Sequence, residues 1–121
     1  MKSIVAIALV VLALFSGAVS ARDTSEIKKI EFLISAVENL KGAKFIRNAT
    51  EHNGKEAAEH LRMKLQKAGD RVRTAYDYIR LCASKSLLSG KPYMIRASDG
   101  KTIKSEEFFR EKLKEYNATV K

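Results

Sequence analysis

The sequence predicts an α+β fold: a small, mainly α-helical domain with a short β patch of two or three strands. Three observations lead to this prediction. Apolar residues recur with helical period in several segments, other short segments have the composition of strands, and Asp99-Gly100 is a strong hairpin turn signal. Residues 22–121 are enough for one hydrophobic core and too few for two, so we expect a single domain there.

Residues 1–21 have the pattern of a secretory signal peptide. Lys2 supplies a basic start, residues 4–15 form an unbroken apolar run, and small residues follow up to Ala21. The run has 12 residues, whereas a helix that spans a bilayer needs roughly 20. We therefore expect cleavage near Ala21, a periplasmic location, and no permanent membrane span once the signal peptide has been removed.

The mature chain is predicted to begin and end with amphipathic helices. Asp23 and Glu26 have the spacing of a capping box. An apolar stripe then follows over residues 27–40 and ends near Gly42. Ser105 is the expected N-cap of the last helix, because two glutamates follow it in the first turn. The predicted inner face of that helix consists of Phe109, Leu113 and Tyr116, together with Phe108.

Residues 55–83 carry one continuous apolar stripe, whose members step by three or four residues as on one helical face. The stripe consists of Ala58, Leu61, Leu65, Ala68, Val72, Ala75, Ile79 and Cys82. The unbroken phase favours one long helix with a kink at Gly69, whereas Gly69-Asp70 as a stop followed by an N-cap would give two helices. Since Cys82 lies on the stripe, we expect a buried thiol; an intermolecular disulfide is the alternative.

Three short segments are candidates for the β patch. Residues 44–47 are rich in β-formers and predict a brief strand or an ordered loop before the turn-like Asn48-Ala49-Thr50. Residues 93–97 alternate apolar and polar side chains as a strand does, and residues 101–104 are the expected return strand of the hairpin. Residues 84–92 connect the preceding helix to this hairpin as a loop.

The chain is strongly basic, with 23 Lys and Arg against 14 Asp and Glu and a net charge of +9. The surplus lies mainly in residues 41–96, which contain 13 basic and 5 acidic residues. Such a surplus favours anionic partners such as lipopolysaccharide, anionic lipid or wall polymers. Export and the absence of tryptophan, which leaves no stacking platform, argue against nucleic acid. A solvated basic surface that only aids solubility is the simpler alternative.

The residues that we predict to bind such a ligand come from two loop regions and from the helix between them. They are Arg47, Asn48, His60, Ser84, Lys85, Ser86, Lys91 and Tyr93. An arginine at the end of a short strand, beside a turn and near a loop rich in Ser and Lys, can form a corner that accepts an anion. The structural alternative is that Arg47 pairs with Glu51 or Glu56 and only stabilises the loop.

A hydrolase is a second hypothesis for the same residues. Ser84 or Ser86 would be the nucleophile, with Lys85 or His60 as the base. No serine within residues 84–91 precedes a lysine by three positions, and the chain has no Gly-x-Ser-x-Gly motif. The catalytic pattern is therefore incomplete.

A metal site is conceivable at three residues spaced four apart, His52, Glu56 and His60. On one continuous helix these side chains would share a face, as metal ligands often do. Asn53-Gly54 breaks the chain and places His52 outside the helix, and the zinc pattern His-Glu-x-x-His is absent. We therefore expect neither a metal site nor a cofactor.

Four blocks of the chain are distinctive in combination. They are Phe45-Ile46-Arg47-Asn48, Glu56-Ala57 with His60-Leu61, Ala83-Ser84-Lys85-Ser86, and Ser89-Gly90-Lys91-Pro92-Tyr93. With them the chain resembles the YfeK-like family of small exported proteins from Gram-negative bacteria, a domain of unknown function. The resemblance implies a periplasmic location and a single compact domain, and it carries no activity, cofactor or catalytic residue. Some relatives have cysteines near the positions of Ala43 and Ala97, whose pairing would place the strand at Phe45 beside residues 93–97.

These observations favour a non-enzymatic periplasmic accessory protein that binds an anionic ligand or an envelope protein partner. Two alternatives stay open: a small hydrolase based on serine and lysine or on histidine, and a structural module that dimerises through the long helix. We expect a monomer or a weak dimer.

Overall fold

The computed structural model describes residues 22–120 and arranges them as four α-helices and a four-stranded antiparallel sheet. The helices are α1 (Thr24–Glu38), α2 (Gly54–Ala68), α3 (Ala75–Cys82) and α4 (Ser105–Thr119). The strands are β1 (Lys44–Arg47), β2 (Thr50–His52), β3 (Met94–Arg96) and β4 (Thr102–Lys104), in the order β2-β1-β3-β4. The α+β prediction is confirmed, with one strand more than expected. The predicted signal peptide, residues 1–21, lies outside the described residues.

The hydrophobic core surrounds α1, which packs against each of the other three helices. The inward stripe of α1 is Ile30, Leu33, Ile34 and Val37, each at most 1% exposed. The sheet adds Phe45 and Ile95 to this core. The predicted inner face of α4 is confirmed at Phe109 and Leu113, whereas Tyr116 is only partly buried. Among residues 22–120, no helix is both long enough and apolar enough to cross a membrane.

The starts of α1 and α4 differ in detail from the predicted helix caps. Asp23 is the N-cap of α1, but its side chain forms no capping hydrogen bond, so the predicted capping box with Glu26 is wrong. The Glu26 carboxylate instead accepts a hydrogen bond from the Ala75 N–H (2.8 Å) and ties α1 to the start of α3. Ser105 is the first residue of α4 rather than its cap, and its N–H donates to the Tyr93 carbonyl (2.8 Å).

Two hairpins form the sheet. β3 and β4 meet around Asp99-Gly100, which confirms that turn prediction. β1 and β2 are joined by Asn48-Ala49, whose φ angles of 51° and 66° both lie in the left-handed region, as a tight two-residue turn requires. The turn-like character of residues 48–50 was predicted, whereas the return strand β2 was not, because Thr50–His52 has three residues and only Thr50 among them is a strong β-former. Phe45 lies opposite Ile95 where the hairpins join, so the strands at these residues are neighbours, as the family resemblance implied.

The prediction of one long helix over residues 55–83 is wrong. Gly69 has φ 53° and ψ −126°, a conformation that ends α2, and a 3₁₀ turn over Gly69–Arg71 follows. Arg22 stabilises this break, because its guanidinium donates to the carbonyls of Gly69 (3.1 Å) and Val72 (2.9 Å). The chain thus leaves the helical path between α2 and α3.

A new capping box starts α3. Thr74 Oγ1 accepts the Asp77 N–H (3.1 Å), and the Asp77 carboxylate accepts the Thr74 N–H (3.2 Å). Val72 and Ala75 are at most 1% exposed although the first of them lies in the link between the helices. The regular spacing of the apolar residues therefore arises because both helices bury them in the same core. It does not indicate one continuous helix.

The first turn of α2 touches the last turn of α1. A Cβ atom added at Gly54 would lie 2.6 Å from the carbonyl oxygen of Val37, a distance that real Cβ contacts do not reach. Asn53 stabilises the start of α2, since its side chain accepts the Glu56 N–H (2.8 Å) while Glu56 accepts the Asn53 N–H (3.0 Å). This junction sets the direction in which α2 leaves α1.

Replacing Gly54 with alanine is expected to lower the free energy of unfolding by about 1–3 kcal/mol, because the new methyl group overlaps the backbone of α1. Lys55→Ala is the control: it changes an exposed neighbour in the same helix and should stay within about 0.5 kcal/mol of wild type. Urea denaturation followed by circular dichroism measures both. Equal stability of the two variants would contradict the close approach of α1 and α2.

Exchanging alanine and glycine should change the stability of the protein in opposite directions at positions 49 and 69. Ala49→Gly should stabilise the protein by about 0.5–1 kcal/mol, because it relieves the left-handed strain of an alanine. Gly69→Ala should destabilise it by about 1 kcal/mol or more through its backbone conformation alone, since the space around Gly69 is open. Thermal unfolding measures both changes, and a lower melting temperature for Ala49→Gly would contradict the turn geometry.

Candidate functional site

The alternation of side chains along β1 directs Arg47 toward α2. Phe45 faces the core, and Arg47 lies two residues later on the same face of the sheet. Glu51 is in register with Ile46 and therefore lies on the opposite face, where its carboxylate binds Arg96 at 2.9 Å. The predicted alternative, a pair of Arg47 with Glu51 or Glu56, is therefore not formed, since Glu56 is hydrogen-bonded to Asn53 at the start of α2.

One face of α2 brings further positive charge to Arg47. His60, Lys64 and Lys67 follow at intervals of four and three residues, so they share a helical face. Lys64 Nζ donates to the Tyr93 hydroxyl (2.9 Å) and to the Lys85 carbonyl (3.4 Å), and it lies 4.8 Å from the centroid of the Tyr93 ring. These partners are neutral, so they orient the ammonium group without compensating its charge.

Asn48 holds the loop between α3 and β3 against the β1–β2 turn. Its Nδ2 donates to Ser86 Oγ (3.4 Å), and its Oδ1 accepts from Ser89 Oγ (2.6 Å). Within the loop, the Ser86 N–H donates to the Lys91 carbonyl (3.0 Å) and the Gly90 N–H donates to the Ser86 carbonyl (2.9 Å). The loop therefore has an ordered backbone at the protein surface.

The turn, the helix and the loop enclose a groove of about 220 Å³, which we call the basic groove. Five of the eight predicted site residues line it: Arg47, Asn48, His60, Ser86 and Tyr93. The lining residues that were not predicted are Met63, Lys64, Lys67, Leu87 and Leu88. The spacing of Lys64 and Lys67 from His60 was a usable signal for the two lysines, whereas no local pattern indicated the leucines.

Ser84, Lys85 and Lys91 were also predicted for the site but do not line the basic groove. Lys85 and Lys91 are exposed near the two ends of the loop, where a β-bridge joins Lys85 to Pro92. Ser84 follows the end of α3, and its hydroxyl donates to the Ile79 carbonyl as a helix-terminal serine does. Three of the eight predicted residues thus lie around the loop instead of in the groove.

The hydrolase hypothesis requires a serine beside a base. Ser86 is buried, and its hydroxyl oxygen accepts hydrogen bonds from the Ser89 N–H (3.3 Å) and from the asparagine of the β1–β2 turn. In the part of the chain that the structure describes, neither Ser86 nor Ser84 forms a hydrogen bond with Lys85 or His60. Both hydroxyls serve the local structure of the loop.

Two histidines meet in a small cavity beside the basic groove. His52 ends β2, outside the helix as predicted, and with His60 it lines a cavity of about 30 Å³. The Nε2 atom of each ring is buried without a hydrogen-bond partner among residues 22–120. Burial, followed by the nearby charges of Arg47 and Lys64, lowers the pKa of His60 from 6.5 to about 4. The same charges oppose a metal cation at this point, and no cluster of three or more metal-ligating side chains occurs in the described range.

A model of a family described as a family of unknown function (DUF5329) matches residues 24–117. The chain belongs to the DUF5329 family. It is also similar to the uncharacterized protein YfeK of Salmonella typhimurium, with 39% identity over 93 residues that make up 77% of each chain. No solved structure matches the chain significantly. The similarity confirms the YfeK-like resemblance and brings no established activity to any residue of the groove.

The single cysteine of this DUF5329 chain is buried, as predicted. Cys82 is 1% exposed, and its thiol donates to the Lys64 carbonyl (3.7 Å). Burial raises the pKa of the Cys82 thiol. The neutral thiol acts as a small core side chain, so a disulfide to another chain would require α3 to open locally.

The low pKa of His60 predicts that acid destabilises the fold. Above pH 6.5 the ring is neutral in the folded and the unfolded chain. Between pH 6.5 and about 4 the unfolded chain binds a proton that the folded chain does not bind, so the free energy of unfolding decreases as the pH falls. His60→Gln removes this proton uptake, and urea denaturation at a series of pH values should show a flatter decrease for the variant.

The region above pH 6.5 is the internal control, because there the two proteins should differ by a constant amount. NMR titration of the ring protons measures the His60 pKa directly in the folded state. A midpoint near the ordinary value of 6.5 would show that the ring is more solvated than its burial indicates.

Proposed function

We propose that this protein is a non-enzymatic binding module of the bacterial envelope, exported to the periplasm, that holds an anionic ligand in the basic groove. The signal-peptide pattern of residues 1–21 supports the location. The net charge of +9 supports a negatively charged partner. The observation that carries the proposal is the convergence of Arg47, Lys64 and Lys67 on one groove.

Cationic side chains that share a concave surface repel each other unless water, carboxylates or a bound anion stabilise them. Two carboxylates that follow Arg47 in the sequence act elsewhere, since Glu51 forms an ion pair on the far face of the sheet and Glu56 caps α2. His60 supplies a second indication of positive potential: burial is the main cause of its low pKa, and Arg47 and Lys64 are the next causes. An anion in the groove would relieve this repulsion.

The groove offers two kinds of cationic donor. The guanidinium of Arg47 can donate two parallel hydrogen bonds to the oxygens of one phosphate, sulfate or carboxylate group. Lys64 and Lys67 add compact point charges, and Lys64 is already oriented by the Tyr93 hydroxyl (2.9 Å). Oriented donors lose less conformational entropy on binding, which favours a ligand with clustered anionic groups.

The two other hypotheses have weaker support. The hydroxyls of Ser84 and Ser86 are already hydrogen-bonded within the loop region, which leaves a hydrolase without an activated nucleophile. The dimerisation hypothesis required one long helix over residues 55–83, whereas α2 and α3 are separate helices.

Chromatography on immobilised heparin, a soluble polyanion, tests the basic groove. A variant with Arg47→Gln, Lys64→Gln and Lys67→Gln should elute at clearly lower salt than wild type, with a loss of affinity of roughly tenfold or more at fixed salt. The loss is expected because the three positive charges that converge on the groove are removed together.

A charge-matched variant with Lys28→Gln, Lys101→Gln and Lys114→Gln is the control. These lysines are exposed and do not line the groove, so the control should elute close to wild type. Circular dichroism verifies that both variants are folded. Elution of both triple variants at the same salt would show that net charge, and not the groove, governs binding.

A further inference from the structure

The rim of the basic groove exposes a cluster of apolar side chains. Leu88 is 99% exposed, Leu87 is 72% exposed and Met63 is 40% exposed, and all three line the groove. The other large apolar side chains exposed within residues 22–120 lie outside it: Ile27, Tyr76, Ile103 and Val120. Single exposed apolar residues are ordinary on a protein surface, whereas a cluster beside a polar site indicates a contact surface.

The two leucines project from a loop with a fixed backbone. The Gly90 N–H donates to the Ser86 carbonyl (2.9 Å), and the Ser89 N–H donates to Ser86 Oγ (3.3 Å), which closes a turn around the leucines. The bridge between Lys85 and Pro92 joins the base of the loop. Because the turn is already formed, insertion of the leucines into a partner would cost little further backbone entropy.

Positive charge surrounds Leu87 and Leu88. Arg47, Lys64 and Lys67 line the groove beside them, and Lys85 and Lys91 are exposed at the base of the loop. A soluble anion would contact the cations and leave both leucines in water. A layer of anionic amphiphiles contacts the cations with its headgroups and the two leucines with its acyl chains.

We infer that this face docks on the surface of an anionic lipid bilayer. Leu87 and Leu88 enter the boundary between headgroups and acyl chains, and the cations of the basic groove bind lipid phosphates. The inference rests on the proposed function, since it uses the same groove, and it specifies the ligand as a lipid surface. Two leucines and a few cations give a reversible, peripheral association.

Cosedimentation with vesicles tests the inference. The wild-type protein should sediment with vesicles of phosphatidylglycerol and phosphatidylcholine and stay in solution with vesicles of phosphatidylcholine alone. Leu87→Ser with Leu88→Ser should weaken binding to the anionic vesicles by about tenfold or more, because two apolar side chains no longer leave water. The same double variant should elute from heparin like wild type, since its cations are unchanged.

Tyr76→Ser with Val120→Ser is the matched control, because both side chains are exposed outside the groove, and it should bind vesicles like wild type. Retention on heparin without binding to anionic vesicles would overturn the lipid inference and leave the proposed function standing. Vesicle binding that is unaffected by the leucine variant would also overturn the inference, because headgroup charge alone would then suffice. Binding to neither heparin nor vesicles would overturn both proposals.

Discussion

The contact between the last turn of α1 and the first turn of α2 orients the rest of the molecule. At Gly54 the two backbones approach so closely that a methyl group would overlap the carbonyl oxygen of Val37. Since α1 is the centre of the core, this contact directs α2 along β1 and β2. The cationic face of α2 is thereby placed against Arg47, and the basic groove follows from that placement.

The sheet completes the charge arrangement through the alternation of its side chains. Arg47 shares a face with Phe45, while Glu51 points to the other face and pairs with Arg96. The groove is consequently rich in cations, and His60 stays neutral beside them. Such an arrangement destabilises the fold locally, and the buried core around α1 has to offset it. A local loss of folding stability is typical of binding sites, where side chains are arranged to contact a ligand.

The parts of the fold with local causes were predictable from the sequence. The stripe of α1 and the Asp99-Gly100 hairpin depend on residues close together in the chain. The helix over residues 55–83 was mispredicted because two helices pack on the same core, so their apolar residues keep a common phase across the break. The capping box at Thr74 and Asp77 was present in the sequence as a signal for a second helix start. The turn at Asn48-Ala49 was predicted as well, whereas the three-residue strand β2 that follows it was not.

By itself the sequence determined the α+β class, the buried stripes and the basic character of this protein, because composition and periodicity carry that information. The family followed from the resemblance of four residue blocks. Only the tertiary structure decided which cations converge. Asn48 holds the loop in a position where Ser86, Leu87 and Leu88 line the groove. Lys85 and Lys91 of the same loop do not line it. The direction of a loop side chain depends on contacts with distant residues, and no local pattern encodes such contacts.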